Sequence, residues 1–189
     1  KITSKFINDE SQLCKTTAKL ISEGKVIGWF QGKMEFGPRA LGNRSILADP
    51  RNANMKSIIN MKIKRRESFR PFAPSVLEKF QTDWFDDSYI SPYMSSLAFV
   101  KEEKKKIIPA ITHIDGTARL QSVNFDTNPK FASLINAFYE ITNVPILLNT
   151  SFNLSNEPIV CTVTDAYKTF MTSGLKLLVC GNFIIRKKN

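Results

Sequence analysis

The chain has 189 residues, 42% of them hydrophobic and 23% charged, the balance of one soluble globular domain rather than of a disordered, fibrous or membrane-spanning chain. At this size roughly 70% of the unfolded surface can be buried, so a core forms without disulfide or metal staples. Lys and Arg number 27 against 17 Asp and Glu, and the net charge of +10 asks for an anionic partner: nucleic acid, a phosphorylated small molecule or an acidic membrane.

Three scattered cysteines, Cys14, Cys161 and Cys180, form no CxxC or Cys/His pairing, which argues against a disulfide framework or zinc site and fits a reducing cytoplasm. No apolar run reaches the roughly 18 residues of a membrane span and no signal peptide opens the chain, so neither a membrane partner nor export is expected. Lys1 in the place of Met suggests a piece of a longer polypeptide.

Taken in order, Leu13, Ala18, Leu20 and Ile21 predict an amphipathic helix over 11–21 with Gly24 beyond it, followed by a short buried strand over 25–30. Gly32, Gly37, Pro38 and Gly42 make 31–43 a structured loop, and strand character returns over 45–48. Met55, Ile58, Ile59 and Ile63 predict a helix over 54–63 that delivers a basic cluster at its end. Residues 72–77 read as a strand, which Pro71 and Pro74 would confine to an edge or an irregular start.

No period is evident over 81–94, and the mixed charges of 101–106 read as a solvated loop. A half-buried strand is expected over 118–123, a helix over 130–142 ended by Asn143 and Pro145, a buried strand over 145–148 and a turn-rich loop over 149–153. Thr164 would cap a helix to Ser173, and strands over 176–179 and 183–186 close the chain. Alternating strands and helices without a repeat or linker predict a single α/β domain over 1–189 with a mixed sheet.

Familiar catalytic patterns are missing. His113 is the only histidine and precedes an Asp115-Gly116 turn, where a loop hydrogen bond is the plainer role; nucleophile-elbow, GxxxxGK[ST] and GxGxxG patterns are absent. Four segments stand out instead. Residues 32–45 combine glycines with Lys33, Arg39 and Arg44, which could cradle phosphate or carboxylate, or could pair with Glu35 and Asp49 in a tight connection. Lys64, Arg66 and Arg70 could form a polyphosphate clamp if Lys64 and Arg66 lie in extended backbone and point the same way, or could be a solvated or nucleic-acid-facing patch. Arg119 and Gln121 share one face of their strand, and Ser151 and Asn153 one face of their loop, offering groups to phosphate or ribose.

Together the runs QGKMEFGPRALGNRSILADPR, KRRESFRPFAPSVL, HIDGTARLQ and LLNTSFN resemble the C-terminal domain of the O-carbamoyltransferases of nodulation and antibiotic biosynthesis, over about 28–182. The resemblance implies a YrdC-like twisted mixed α/β sheet with flanking helices, following a larger N-terminal domain absent from this sequence. It implies binding of ATP and carbamoyl phosphate and formation of carbamoyl adenylate, whose carbamoyl group the N-terminal domain passes to a hydroxyl acceptor. The Lys-x-Arg and Ser-x-Asn signatures of YrdC-like proteins match Lys64 and Arg66, and Ser151 and Asn153; Arg39, Arg70 and Arg119 match further basic positions. Lys64, Arg70 and Arg119 are thereby implied as catalytic. Lys33 stands where that family carries Arg, which removes a bidentate contact.

Two anionic substrates and a pyrophosphate leaving group call for dispersed positive charge rather than a protein nucleophile. Mg2+ is expected to enter with ATP, held by phosphate oxygens and water, and the family's iron-type metal to belong to the N-terminal domain. Two other readings remain: an RNA-binding module using the same basic surface, and a structural partner that docks on the N-terminal domain and is inert alone.

Overall fold

Strands made of continuous apolar runs fill the middle of one mixed sheet, and strands carrying polar or exposed residues form its borders, as burial on one or both faces requires. In the computed structural model, which describes residues 1–188, nine strands run in the order β1-β9-β8-β2-β3-β7-β4-β6-β5. They are β1 (Ile2–Phe6), β2 (Ile27–Phe30), β3 (Arg44–Ala48), β4 (Ala73–Leu77), β5 (Ser96–Phe99), β6 (Thr117–Val123), β7 (Ile146–Ser151), β8 (Leu177–Cys180) and β9 (Phe183–Lys187). Pairings β2–β8 and β4–β6 are parallel and the others antiparallel.

Helices flank the sheet. Helix α1 (Glu10–Ser22) buries Leu13, Ala18 and Ile21 against α5 (Pro129–Thr142), which presents Phe131, Leu134, Ile135 and Phe138 and rests on β4 and β7. Asn128 caps α5 by accepting from the Phe131 N–H, and Asn143, at φ 57°, ends it in the left-handed conformation that asparagine tolerates. Helix α6 (Val163–Thr172) lies on β2 and β8. Its cap is Thr162, not Thr164: the hydroxyl of Thr162 accepts from the Asp165 N–H and Asp165 reaches back, a reciprocal pair that Thr164 has no carboxylate to form.

Several expectations are corrected. Strand β1 escapes sequence reading because all five of its residues are exposed, so it carries no burial pattern; β5 is likewise an edge strand with one buried residue, Ala98. The run 101–106 contains a one-turn helix, α4 (Glu102–Lys105), which is solvent-exposed as its charges imply. Another single turn, α3 (Gln81–Trp84), opens the aperiodic stretch.

Strand β4 is interior, between β7 and β6, not an edge: its parallel ladder to β6 begins at Ser75, so the missing N–H of Pro74 falls before that ladder starts. Helix α2 (Met55–Ile58) runs into a π-helical turn, Ile59–Lys64, closed by Arg65 at φ 53°. Lys64 therefore ends a wound turn and does not share an extended segment with Arg66. Residues 149–151 are not loop but the end of β7.

Gly42 anchors the loop over 31–43 to the core. Its carbonyl accepts from the Trp29 indole N–H (2.8 Å), its φ is 111°, and a Cβ there would lie 2.2 Å from the Phe131 ring. Gly37, at φ 115° on the same loop, has open space around it. Gly42→Ala is expected to lower unfolding stability by about 3 kcal/mol or more, and Gly37→Ala by about 1 kcal/mol, since only the first adds a core clash to backbone strain. Urea unfolding of the two variants checks the difference.

Candidate functional site

The site forms where three separate stretches meet at the ends of β4, β6 and β7. The turn at 38–40, the loop at 66–72 and Arg119 of β6 surround a cleft of about 110 Å3 whose floor is Asn149, Thr150 and Ser151 of β7. Three arginines, Arg39, Arg66 and Arg119, line it, and no carboxylate does. Other depressions are larger, including one of about 510 Å3 beside Met34 and Cys161, but no arginine lines that one.

Beneath the cleft a buried polar network fixes its walls. Ser75 Oγ donates to Gln121 Oε1 (2.5 Å), Asn149 Nδ2 contacts Ser75 Oγ, Gln121 Oε1 and the Ala40 carbonyl at 3.0–3.1 Å, and Gln121 Nε2 donates to the Leu41 carbonyl (2.8 Å). The network ties the turn at 38–41 to three strands. It leaves Asn149 Oδ1 without a partner, and Arg119 Nε, on a half-buried side chain, is also buried and unpartnered. Buried polar atoms are normally paired, and two orphans on residues lining one cleft leave one acceptor and one donor there for water or a ligand to satisfy.

Lys64 stands behind the cleft, 2% exposed. Its ammonium donates to the Ser151 carbonyl, to Ser151 Oγ (3.2 Å) and to Asn153 Oδ1 (2.6 Å), with no carboxylate among its partners. Burial, and then the neighbouring Arg66, push its pKa down to about 7. Ser151 Oγ also donates to Asn153 Oδ1 (2.8 Å), and Asn153 is held by the Glu157 carbonyl (2.7 Å). Ser151 thus faces the cleft while Asn153 positions Lys64 and Ser151 from behind.

Arg66 and Lys64 do converge, though not as an extended clamp. The left-handed Arg65 turns the chain, and the buried Asn60 sets the following loop by donating to the Ser68 (3.1 Å) and Arg70 (2.9 Å) carbonyls and accepting from Arg66 Nε (2.7 Å). The Arg66 guanidinium also lies 5.2 Å from the Phe72 ring centroid. Desolvation and then Arg70 lower the Arg66 pKa, and desolvation and then Arg39 lower that of Arg119. Glu67 partly offsets the burden on Arg66, whereas no carboxylate offsets that on Arg119, and cations that burden one another favour a bound anion electrostatically.

Among the sequence-predicted residues, Arg39, Arg66, Arg119 and Ser151 line the cleft and Lys64 and Asn153 support it. Arg70 does not line it: exposed at the surface, it pairs with Glu67 (2.8 Å). Arg44 is spent structurally, buried over the Phe30 ring at 3.6 Å with its guanidinium donating to the Gln31, Asn43, Gly32 and Cys161 carbonyls. Asp49 pairs with Arg51 (2.6 Å), and Glu35 with backbone N–H groups, so neither neutralises Arg39. Lys33 is exposed and away from the cleft lining. His113 closes its turn, its Nδ1 lying 3.1 Å from Thr117 Oγ1, as expected of a loop histidine.

Sequence reasoning missed Asn60 and Ser75. Each is a polar residue inside an otherwise apolar run, NMKSIINMKI and FAPSVL, and that contrast is the signal that would have found them.

A family model described as the carbamoyltransferase C-terminus matches residues 18–187. The nodulation protein NolO of Bradyrhizobium diazoefficiens is 51% identical over 185 residues, covering 96% of this chain and 34% of that protein. A 3'-hydroxymethylcephem-O-carbamoyltransferase of Amycolatopsis lactamdurans is 36% identical over 162 residues, covering 86% of this chain and 31% of that protein. The chain spans about a third of the length of these relatives. Among solved structures, P. abyssi Sua5 complexed with L-threonine superposes with a TM-score of 0.65 at 14% identity, over 92% of this chain and 48% of that one. Full-length HypF in its phosphate- and nucleotide-bound form gives 0.55 at 18% identity, over 90% and 21%. Identities this low speak for the fold alone, which is the YrdC-like mixed sheet with flanking helices expected from the sequence. With the family model covering nearly the whole chain, this protein belongs to the carbamoyltransferase C-terminus family.

Proposed function

We propose that the cleft binds the phosphates of ATP together with carbamoyl phosphate, and that this domain forms carbamoyl adenylate for transfer to a hydroxyl acceptor by the remainder of a longer protein. The observation that carries the reading is the meeting of Arg39, Arg66 and Arg119 in a cleft without a carboxylate, with Arg119 Nε unpartnered. A phosphoryl oxygen supplies the missing acceptor, and fixed cations stabilise charge spread over a transferring phosphoryl group.

In this reading carbamoyl phosphate and water yield carbamate and inorganic phosphate, and a carbamate oxygen then bonds to the α-phosphorus while the bond to pyrophosphate breaks. Arg39, Arg66 and Arg119 orient and neutralise the phosphates, Ser151 offers its hydroxyl, and Lys64 adds positive charge from behind. Arg70, free to exchange Glu67 for a ligand, joins from the rim. The lining carries three arginines, one amide (Asn149) and the hydroxyls of Thr150 and Ser151, and in this reading Mg2+ accompanies ATP, held by phosphate oxygens and water. An iron-type metal belongs with the remainder of the longer protein, as does choice of acceptor. A narrow concave cleft suits a small anion better than the extended groove a nucleic acid needs, which sets the RNA-binding reading second.

Losing one buried charge-assisted contact weakens binding by about 10- to 100-fold. Arg119→Ala is therefore expected to weaken ATP binding in calorimetry by at least about tenfold, with Arg119→Lys recovering only part because an ammonium cannot replace the guanidinium fork. Unchanged affinity in both variants contradicts the site. Salt-sensitive RNA binding without nucleotide binding would transfer the function to the second reading.

The depressed pKa of Lys64 makes pH a second test. Between about 7 and 10.5 the unfolded chain holds a proton on Lys64 that the folded chain lacks, so this residue's contribution to stability rises with pH across that window and is lost as pH falls to 7. A bound polyphosphate raises the pKa again, so ATP binding near pH 8 is expected to take up part of a proton in wild type and none through this residue in Lys64→Met. Titration calorimetry in buffers of different ionisation enthalpy measures that uptake; equal values in both proteins contradict the assignment.

A further inference from the structure

Strand β1 ends the sheet, and among the described residues no strand lies beyond it. Its ladder to β9 fixes which backbone groups stay free. The register pairs Ile2 with Lys187 and Phe6 with Phe183; the Lys188 N–H donates to the Lys1 carbonyl (2.8 Å), and the Ile7 N–H donates to the Asn182 carbonyl (2.9 Å). Hydrogen-bonded pairs alternate along an antiparallel ladder, so Lys1, Thr3, Lys5 and Ile7 turn their backbone groups toward β9 while Ile2, Ser4 and Phe6 turn theirs outward. Three N–H and three C=O groups thus line a free edge at the spacing of a strand template.

The two faces of this edge differ in chemistry. Ile2, Ser4 and Phe6 share a face with Phe183 and Ile185, and the rings of Phe6 and Phe183, 55% and 47% exposed, lie 5.1 Å apart between centroids. Lys187 closes the Ile2 end of that face by donating to the carbonyls of Phe170, Met171 (3.2 Å) and Ser173 (2.9 Å) at the end of α6. The opposite face carries Lys5 and Arg186, both exposed and in no ion pair among the described residues. Residues 1–8 and 174–189 contain no Asp or Glu that could neutralise them.

Free backbone groups, an apolar face and an unneutralised cationic face have one common complement. We propose that β1 is a docking edge for an extended segment of a partner protein, which adds to the sheet as a further strand with apolar side chains against Phe6 and Phe183 and acidic side chains against Lys5 and Arg186. A second copy of this chain fits the edge worse, because it sets the same cations against themselves on one face. A single-stranded nucleic acid uses the cations but leaves the outward N–H and C=O groups without partners in register. The proposal is independent of what the arginine cleft binds.

NMR titration of this chain with a peptide alternating glutamate and valine tests it, beside two controls: the same peptide N-methylated at its valines, and a peptide alternating lysine and valine. In the proposed register the valines lie opposite Ile2, Ser4 and Phe6, so N-methylation removes the donors that face the edge. The glutamate peptide is expected to bind at least about tenfold tighter than either control and to slow hydrogen exchange at the Ser4 and Phe6 amides. Ser4→Pro removes only an outward N–H, which an edge strand tolerates, and is expected to weaken binding by about tenfold; Lys5→Glu lowers the preference for glutamate over lysine. Equal affinity for either control, or no binding of the glutamate peptide, overturns the proposal, and the peptide comparison decides alone if Ser4→Pro fails to fold. Oligouridylate bound at Lys5 and Arg186 in place of the peptide overturns it in favour of a nucleic acid. A concentration-dependent dimer in sedimentation that Ser4→Pro abolishes overturns it in favour of a second copy.

Discussion

A lysine ammonium buried without a carboxylate organises the end of the sheet that carries the arginine cleft. Lys64 leaves water to meet three neutral oxygens of Ser151 and Asn153, a costly arrangement in a low-dielectric interior unless its positive charge serves something. In doing so it fastens the end of a π-helical turn to the end of β7, 87 residues further on. Inserted turns of this kind concentrate at functional sites, and here the insertion lets Lys64 point inward while Arg65 reverses the chain and Arg66 re-enters the cleft from the front.

The remaining walls follow from a second constraint, the satisfaction of polar atoms under the cleft. Ser75, Gln121 and Asn149 come from three adjacent strands and hand their last hydrogen bonds to the carbonyls of Ala40 and Leu41. A glycine-rich loop is thereby held as rigidly as a strand end, with Gly42 packed on Phe131 and Glu35 gathering three backbone N–H groups. Arg44 spends its whole guanidinium on carbonyls of the same region, so the loop's exposed cation toward the cleft is Arg39. Arg39 and Arg44, alike in type and close in sequence, are separated by burial: Arg44 is 4% exposed and bound to carbonyls, and Arg39 lies open on the cleft wall.

Much of the fold was legible because period and burial agree: the apolar face of α5, the runs of β2 and β3, the apolar first half of β7 and the glycine loop read correctly from spacing, whereas the polar Asn149-Thr150-Ser151 hid the second half of β7. What escaped had no such agreement. Strand β1 is exposed along its whole length, β4 carries a proline yet lies inside the sheet, and α2 changes its winding at Ile59 without any change in its apolar pattern. The site was legible as residue types and as a family resemblance, but not as geometry. An extended clamp of Lys64 and Arg66 was the natural guess from alternation, and the left-handed Arg65 replaces it. Arg44 and Arg39 look alike in sequence, and only the packing over Phe30 separates them.

In the proposed function a nucleotide's phosphates bind in the arginine cleft. A crystal structure of this chain grown with Mg2+ and a non-hydrolysable ATP analogue tests it most directly. Phosphate oxygens within hydrogen-bond distance of Arg119 Nε, Arg39, Arg66 and Ser151 are the expected result. A nucleotide bound elsewhere on the molecule, with the cleft holding only water and Arg119 Nε still without an anionic partner, would contradict the account.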